Sequence, residues 1–294
     1  MVSPHPIGIQ LYTLQEQLAR DLQGTLTTLR TLGYREVEPA GLLGHTPAEF
    51  KAALDSAGLS VPSAHILNSA AQDALRAMAM GQLTPDDAWA KVNAAMDLAH
   101  IDAIIEETFA QQAALGNTYA VLATLDAQLL RTPSGIARVA EAFNRAGELC
   151  QRHGVRFAWH PHLAEFAMVE GKRALDRILE ATHTSQVYIE LDFFWAAAAN
   201  VDIPALLHRH TGRIPLGHLK DLSKSVVVPP DGFADLNGIP NEAFEDVGYG
   251  TLDYPTLIPL ARKAGMRHFF VERDHAPAPL ANARSSFDTL TRLL

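Results

Sequence analysis

The sequence of 294 residues has little cysteine and little basic charge, and each shortage excludes a class of protein. Its one cysteine, Cys150, cannot form an internal disulfide or a cysteine-based zinc site, so nothing in the fold depends on an oxidising compartment. The 24 basic residues are outnumbered by 33 acidic residues, which gives a net charge of −9. This is the wrong sign for neutralising phosphates, so we expect neither nucleic acid nor an anionic membrane surface as a partner.

Long apolar runs and targeting signals are also missing. The most apolar short run, residues 193–201, is far shorter than the ~20 residues that a membrane helix needs. Residues 1–6 do not show the basic segment and apolar stretch of a signal peptide. Hydrophobic residues make up 48% of the chain, which is enough for a large core, and the sequence therefore predicts a globular cytoplasmic protein.

Short apolar runs alternate with segments of helical periodicity, which predicts βα units and a parallel sheet. Several of the helical segments stop at a glycine, the usual left-handed terminator of a helix. Eight βα units match a (βα)₈ TIM barrel, so we predict a single α/β domain over residues 1–294. The eight predicted strands are residues 7–13, 36–40, 61–66, 118–124, 155–160, 187–194, 214–221 and 268–274.

Two intervals between predicted strands are longer than the others. The interval after the third strand contains two extra predicted helices, at residues 85–99 and 102–115. The interval after the seventh strand contains residues 228–250, which are rich in proline, glycine and aspartate and are predicted to form an ordered functional loop or lid. Loops that follow the strands lie at the catalytic face of a TIM barrel, so both insertions are expected to border the active site.

Polar residues end four consecutive predicted strands. Alternate residues of a barrel strand point towards the axis, so residues of one parity are expected to meet at one rim. One histidine at a strand end is more often structural, and one aspartate often caps the following helix, but agreement between four strands favours a site. Imidazole and carboxylate ligands without thiolate suit manganese, cobalt, zinc, iron(II) or magnesium. The residues are His160 and His162, Glu190 and Asp192, His218 and Lys220, and Glu272 and Asp274.

Eight motifs in a fixed order resemble the sugar phosphate isomerase/epimerase family, the xylose isomerase-like TIM barrels. They are GIQLYT at 8–13, LGYREVE at 32–38, SAH at 63–65, WHPH at 159–162 with EF at 165–166, ELDFFW at 190–195, HLKD at 218–221, VGYG at 247–250 and VERD at 271–274. The resemblance covers nearly the whole chain. It implies a divalent-metal-dependent sugar or polyol isomerase or epimerase that acts by proton abstraction next to a carbonyl.

The resemblance also implies roles for residues at the rim. Families of this kind hold the metal with Glu, Asp, His and Glu on strands 5 to 8; Asp192, His218 and Glu272 match the last three, and His160 stands in place of the first. The glutamates on strands 5 and 8 are the expected opposed bases, so His160 departs from the two-glutamate mechanism. Glu272 is then expected to be catalytic, with His162 or Glu165 supplying the missing acid–base function.

The other half of the rim is expected to bind the substrate. Gln10, Tyr12, Glu38 and His65 are predicted to hydrogen-bond sugar hydroxyls, and Trp195 is predicted to provide an apolar face for the ring. The alternative interpretation of Trp195 is ordinary loop packing. The alternative interpretation of Glu38 is an ion pair with Arg35. Lys220 is either an electrostatic partner of the substrate or a salt-bridge partner of Asp221 or Asp192.

Several alternatives remain open. A lyase of the same fold, either a dehydratase or a keto-sugar β-eliminating enzyme, would use His160 or His162 as its acid or base. A non-catalytic sugar-binding barrel is a third hypothesis. An endonuclease of the same family ranks last, because the chain is acidic. Basic clusters are sparse, which favours an unphosphorylated substrate. Barrels of this kind commonly pair, so a homodimer is one expected state.

Overall fold

Eight parallel strands form a nearly closed barrel in the computed structural model, which describes residues 6–226 and 239–293. The strands are β1 (Ile7–Gln10), β2 (Glu36–Glu38), β3 (Ser63–His65), β4 (Tyr119–Leu122), β5 (Arg156–Trp159), β6 (Val187–Asp192), β7 (Leu216–Leu219) and β8 (His268–Val271). Their order around the sheet is β2-β1-β8-β7-β6-β5-β4-β3. A parallel bridge between Glu36 and Ser60 links β2 to the chain just before β3. Each predicted run contains one strand, so the predicted single-domain TIM barrel is confirmed.

The described part of the chain contains twelve α-helices. They are α1 (Gln15–Arg20), α2 (Leu22–Leu32), α3 (Pro47–Ala57), α4 (Ser69–Ala79), α5 (Pro85–Ala95), α6 (Ile101–Leu115), α7 (Pro133–Arg152), α8 (Ala174–Glu180), α9 (Phe193–Ala198), α10 (Ile203–Arg209), α11 (Tyr254–Ala264) and α12 (Pro279–Leu293). No helix within residues 6–226 and 239–293 is long and apolar enough to cross a membrane.

Local chemistry explains where several of these helices begin and end. Thr46 and Glu49 form a capping box at the start of α3, and the helix ends at Gly58 with φ of 69°. The predicted sixth strand stops at Asp192 rather than at residue 194. Its carboxylate accepts hydrogen bonds from the backbone N–H groups of Phe194 and Trp195, so the apolar run continues as α9.

The inward-facing residues of the barrel form layers. Apolar side chains from four strands pack together inside the lower barrel; they are Tyr119, Val121, Ala158, Leu216 and Phe270. Towards the carboxyl ends of the strands the inward positions become polar, although the side chains remain buried. Since β-barrel interiors of this size are filled by side chains, the polar upper layers need charge compensation within the barrel.

The two predicted insertions have different outcomes. Three helices, α4, α5 and α6, occupy the interval between β3 and β4, and α5 and α6 lie at the positions of the two extra predicted helices. In the second insertion, residues 228–238 lie outside the described residues. Residues 239–250 contain a short strand, Phe244–Glu245, paired with Asp221–Leu222.

Candidate active site and metal centre

The carboxyl ends of β5 to β8 bring four buried metal-ligating side chains together. His160, Asp192, His218 and Glu272 each offer one ligand atom, and these atoms lie within 4.8 Å of one another. They are the four residues that the sequence predicted as ligands. Two imidazoles and two carboxylates fit a divalent transition metal or magnesium. The structure therefore provides a buried cluster that could hold a metal, and the identity of the ion stays a prediction.

Lys220 lies among three carboxylates at the same rim. Its ammonium is 2.6 Å from Glu272 Oε2, 2.7 Å from Asp274 Oδ2 and 3.0 Å from Asp192 Oδ2. Burial opposes the charged form, but these carboxylates hold the pKa of Lys220 well above its usual value. Of its two predicted salt-bridge partners, Lys220 pairs with Asp192 and not with Asp221. A cation bound to the cluster would share two of its ligands with this ammonium.

The protonation states of the cluster follow from burial and from these neighbours. Burial, and the positive charges of His218 and Lys220, hold the pKa of His160 well below its usual value, so its imidazole is neutral. Burial raises the pKa of Asp192 to about 6, against the effect of Lys220. Burial would also raise the pKa of Glu272, but Lys220 and His218 lower it, so Glu272 is ionised. Burial opposes the charge of His218, but Glu190 and Glu272 hold its pKa well above the usual value, so a bound ion would displace a proton from this imidazole. His160, Asp192 and Glu272, in contrast, already have metal-binding forms.

A second polar layer lies directly beneath the rim. Gln10 Nε2 is 2.8 Å from Glu38 Oε2 and 3.1 Å from His65 Nε2, and Glu38 Oε2 is 2.7 Å from His218 Nε2. Gln10, Glu38 and Glu190 are fully buried. Burial opposes ionisation of Glu38, but His65 and His218 hold its pKa well below the usual range. The three predicted substrate-binding residues of this layer therefore contact one another and His218.

Glu190 also belongs to this layer, and no role was predicted for it. Its Oε2 lies 3.2 Å from His218 Nε2, 3.3 Å from His160 Nδ1 and 3.5 Å from His65 Nε2. Strand parity placed Glu190 on the same face as Asp192, which was the available signal. Parity does not give depth along the barrel axis, so the contact with three imidazoles could not be read from it.

The alternative sequence interpretation of Glu38 was an ion pair with Arg35. In the structure Arg35 donates its guanidinium hydrogens to the backbone carbonyls of Gly33 and Tyr34. The partners of Glu38 are instead Gln10 and the histidines of the barrel interior.

The two candidate acid–base residues after β5 have opposite pKa shifts. Burial raises the pKa of Glu165 to about 7. Burial, reinforced by Lys220, lowers the pKa of His162 to about 3. The backbone N–H of His162 donates to Glu165 Oε2 at 3.1 Å, which fixes the direction of that carboxylate. Glu165 therefore titrates near neutral pH, whereas His162 stays neutral.

A cavity of about 1870 Å³ opens at the carboxyl ends of the strands. Its wall includes Tyr12, Trp89, His162, Glu165 and Trp195. The Trp195 ring packs edge-on against His162, with ring centroids 5.5 Å apart. Of the five predicted substrate-binding residues, Tyr12 and Trp195 thus line the cavity, and the other three belong to the layer beneath the rim.

Comparison with protein families places this architecture. The model of the xylose isomerase-like TIM barrel family matches residues 26–293. The chain belongs to this family. A solved xylose isomerase-like barrel, a sugar phosphate isomerase/epimerase from Parabacteroides distasonis, superposes with a TM-score of 0.75 at 20% identity over 98% of this chain and 94% of that chain. At such identity the likeness supports the fold alone.

Other similar proteins process sugars or bind metal. Inosose dehydratases from Clostridium perfringens and Geobacillus kaustophilus are 25% and 27% identical over 143 and 169 residues, which cover 48% and 55% of this xylose isomerase-like chain and 48% and 54% of theirs. The chain thus spans about half the length of these curated relatives. A structure of the IolI protein with a zinc atom has a TM-score of 0.64 at 13% identity, over 98% of this chain and 97% of that one. A 3-keto-D-glucoside 4-epimerase from E. coli has a TM-score of 0.62 at 17% identity, over 99% and 100%. Proteins with a similar fold therefore include an epimerase and a protein with a bound zinc atom.

This xylose isomerase-like barrel carries His160 at the strand 5 position of the rim, where the sequence resemblance implies a glutamate. Its imidazole Nε2 faces Asp192 Oδ2 at 3.7 Å. Because His160 is neutral, replacing glutamate by histidine removes one negative charge from the cluster. Lys220 adds a positive charge to the same rim.

Proposed function

We propose that this protein is a divalent-metal-dependent enzyme that removes a proton from the carbon next to a carbonyl group of a sugar or polyol and returns it as an isomerase or epimerase. The observation that carries the proposal is the convergence of His160, Asp192, His218 and Glu272 beneath an open cavity. These residues would hold the ion. When bound, a divalent ion supplies a Lewis acid that polarises the carbonyl and offsets the negative charge developing on its oxygen.

Glu165 is the proposed proton acceptor. It lines the cavity, its carboxylate is oriented by the His162 backbone, and its pKa of about 7 suits a group that must both accept and return a proton near neutral pH. His162, with a pKa of about 3, is a weaker base and positions Glu165 instead. Burial would raise the pKa of Glu272, but Lys220 and His218 lower it, so Glu272 is a weaker base than Glu165 and is proposed mainly as a metal ligand, although the family resemblance implied a catalytic role as well.

Lys220, Tyr12 and Trp195 are proposed to bind and polarise the substrate. The ammonium of Lys220 stays charged among its carboxylates and adds positive potential at the rim where the substrate oxygen becomes negative. Tyr12 and Trp195 form parts of the cavity wall, where an aromatic face suits the apolar side of a sugar ring.

A lyase is the second candidate, and two observations favour it. The curated relatives are named inosose dehydratase, and the strand 5 glutamate expected of a second base is His160 here. The first step is the same: Glu165 takes the proton and the electron pair moves towards the carbonyl. In a lyase the bond from the next carbon to its hydroxyl or glycosidic oxygen then breaks. The leaving oxygen takes up a proton, and the products are an unsaturated ketone and water or an aglycone alcohol.

One experiment separates the candidates. The enzyme, loaded with cobalt, manganese, zinc or magnesium, is incubated with keto-sugars and inososes in heavy water and followed by proton NMR. Incorporation of deuterium at a carbon atom without elimination of water or an alcohol identifies the isomerase or epimerase. Elimination of water or an alcohol from the substrate identifies the lyase. Tight binding without exchange indicates a sugar-binding barrel.

Variants at the cluster test the role of the metal. Asp192→Asn and Glu272→Gln are expected to abolish exchange. Glu36→Gln serves as the control, because Glu36 is a buried carboxylate on the same barrel but pairs with His268 and lies outside the cluster. Full activity of the metal-free protein would contradict the proposal.

A further inference from the structure

In each histidine of the proposed ligand set, each of the two ring nitrogens faces a different carboxylate. His218 Nδ1 is 2.8 Å from Glu272 at the rim, and its Nε2 is 2.7 Å from Glu38 beneath it. His160 Nε2 is 3.7 Å from Asp192 at the rim, and its Nδ1 is 3.3 Å from Glu190 beneath it. One nitrogen of each ring thus faces the other proposed ligands, and the opposite nitrogen faces the layer below.

The lower carboxylates are shielded from solvent. Glu38 and Glu190 are both 0% exposed, and neither contributes to the wall of the cavity. Glu38 Oε1 and both carboxylate oxygens of Glu190 accept no hydrogen bond of good geometry from residues 6–226 and 239–293. A buried carboxylate with so few donors is costly, so its imidazole neighbours are its main compensation.

Glu38 is itself held in place. Gln10 donates from Nε2 to Glu38 Oε2 at 2.8 Å, and Gln10 Oε1 accepts from the backbone N–H of Tyr12 at 3.1 Å. The Tyr12 contact fixes which end of the Gln10 amide is the donor. A side chain on β1 therefore fixes the carboxylate that meets His218, and that carboxylate is already in place without substrate.

We propose that Glu38 and Glu190 are positioning residues for the metal ligands His218 and His160. Glu38 accepts the Nε2 hydrogen of His218, which leaves the Nδ1 lone pair for the metal. Glu190 Oε2 lies 3.3 Å from His160 Nδ1 without a hydrogen bond of good geometry, and it would accept the Nδ1 hydrogen when His160 Nε2 turns towards the metal. A carboxylate on the far nitrogen fixes the tautomer and the ring orientation and makes the ligating nitrogen a better donor. The inference rests on the proposed function because it names the residues that complete the same site.

A second ion in the lower layer is the competing arrangement. Glu38, His65, Glu190 and His218 also have ligand atoms within 4.8 Å of one another. Each carboxylate of this layer already has an imidazole nitrogen within 3.5 Å as a neighbour without an ion. The positioning role predicts one metal equivalent per chain, whereas a second ion would give two.

The test compares Glu38→Gln and Glu190→Gln with the matched control Glu36→Gln. Glu36 is on the same strand as Glu38, two residues earlier, and its carboxylate meets His268 Nδ1 at 2.9 Å, outside both ligand clusters. Dissociation constants for cobalt and zinc are measured by competition with a chromophoric chelator, together with the visible absorption of the cobalt form and the stoichiometry. We expect about 10- to 100-fold weaker binding and an altered cobalt spectrum for each lower-layer variant, and neither change for Glu36→Gln.

The outcomes separate this inference from the proposed function. Wild-type affinity and spectrum in both lower-layer variants, or two metal equivalents in the wild type, would overturn the positioning role. If the wild type binds no metal, both proposals fail. If metal binding is weakened in the variants but the wild type turns over no sugar, only the proposed function is contradicted. Thermal unfolding of the metal-free proteins checks folding, and if one variant does not fold, the other variant decides.

Discussion

At the scale of single residues, burial and charged neighbours set the pKa of each acid–base residue at the rim. Glu165 and His162 are three positions apart, yet burial raises the pKa of the carboxyl to about 7 and lowers the pKa of the imidazole to about 3. Burial disfavours the charged form of either group, and that form is the anion of Glu165 but the cation of His162. The sequence left both as candidates because it does not show how completely the loop after β5 is buried.

Glu165 gives a pH prediction with a definite sign. As a base it must be ionised, so kcat/KM should rise with pH up to a plateau above about 7 and fall as the pH drops below it. Glu165→Gln should lower kcat by about 10²- to 10⁴-fold and remove this acidic limb. Steady-state rates from pH 5 to 9 measure both effects. Glu180→Gln, at an exposed glutamate that pairs with Lys172, should keep the wild-type profile. An unchanged limb in Glu165→Gln would assign the titration to another group.

The proposed ligand residues show which part of a site can be predicted from a sequence. Two-residue periodicity along β5 to β8 predicted a rim of eight polar residues, and the family resemblance selected His160, Asp192, His218 and Glu272 among them as ligands. The structure brings these four together. The roles of Gln10, Glu38 and His65 depend instead on how far each strand is shifted along the barrel axis. That shift is set by pairing between distant strands, and parity within one strand does not contain it.

At the scale of elements, the eight strands and the long helices were predictable because each carries its own pattern. The short helices α8, α9 and α10 have six or seven residues, too few to show helical periodicity. For α9 the decisive feature is one hydrogen-bonding side chain, Asp192, which ends the strand and caps the helix. A residue assigned to metal binding thus also determines local structure, and only the three-dimensional arrangement combines the two.

The connection that follows β7 depends on one buried carboxylate. Asp221 accepts hydrogen bonds from the backbone N–H groups of Leu222, Gly248 and Leu252 at 2.9–3.0 Å. Asp221→Asn places an amide donor against these donors, so we expect a loss of about 1–3 kcal/mol in the free energy of unfolding. Urea denaturation measures the change.

Asp202→Asn is the matched control for Asp221→Asn. Asp202 caps α10 through one hydrogen bond to the backbone of Ala205, and asparagine is an equally good cap, so its cost should be close to zero. Equal stability of the Asp221 and Asp202 variants would show that the three hydrogen bonds accepted by Asp221 contribute little to the free energy of unfolding. Metal affinity should stay at the wild-type value in both.

For the whole molecule, the net charge of −9 includes a group of buried acids. Glu38, Glu190, Asp192 and Glu272 converge inside one barrel, where Lys220 and the imidazoles are the compensating groups in the described residues. Burying like charges costs stability unless cations join them. The acidic composition argued against nucleic acid in the sequence analysis, and in the structure part of that acidic charge lies in a buried cluster that could hold a cation.

Removing the metal should therefore weaken the whole barrel as well as its chemistry. An ion that binds only the folded state adds about 2.7 kcal/mol at a concentration 100 times its dissociation constant, which corresponds to a rise in Tm of about 4 °C for a barrel of this length. We expect dialysis against a chelator to lower Tm by this amount and to abolish activity, and cobalt, manganese or zinc to restore both. Asp192→Asn should lose the metal-dependent rise and Glu36→Gln should keep it. A Tm that does not respond to any divalent ion would contradict metal binding and leave Lys220 and the imidazoles as the groups that compensate the carboxylates of the rim.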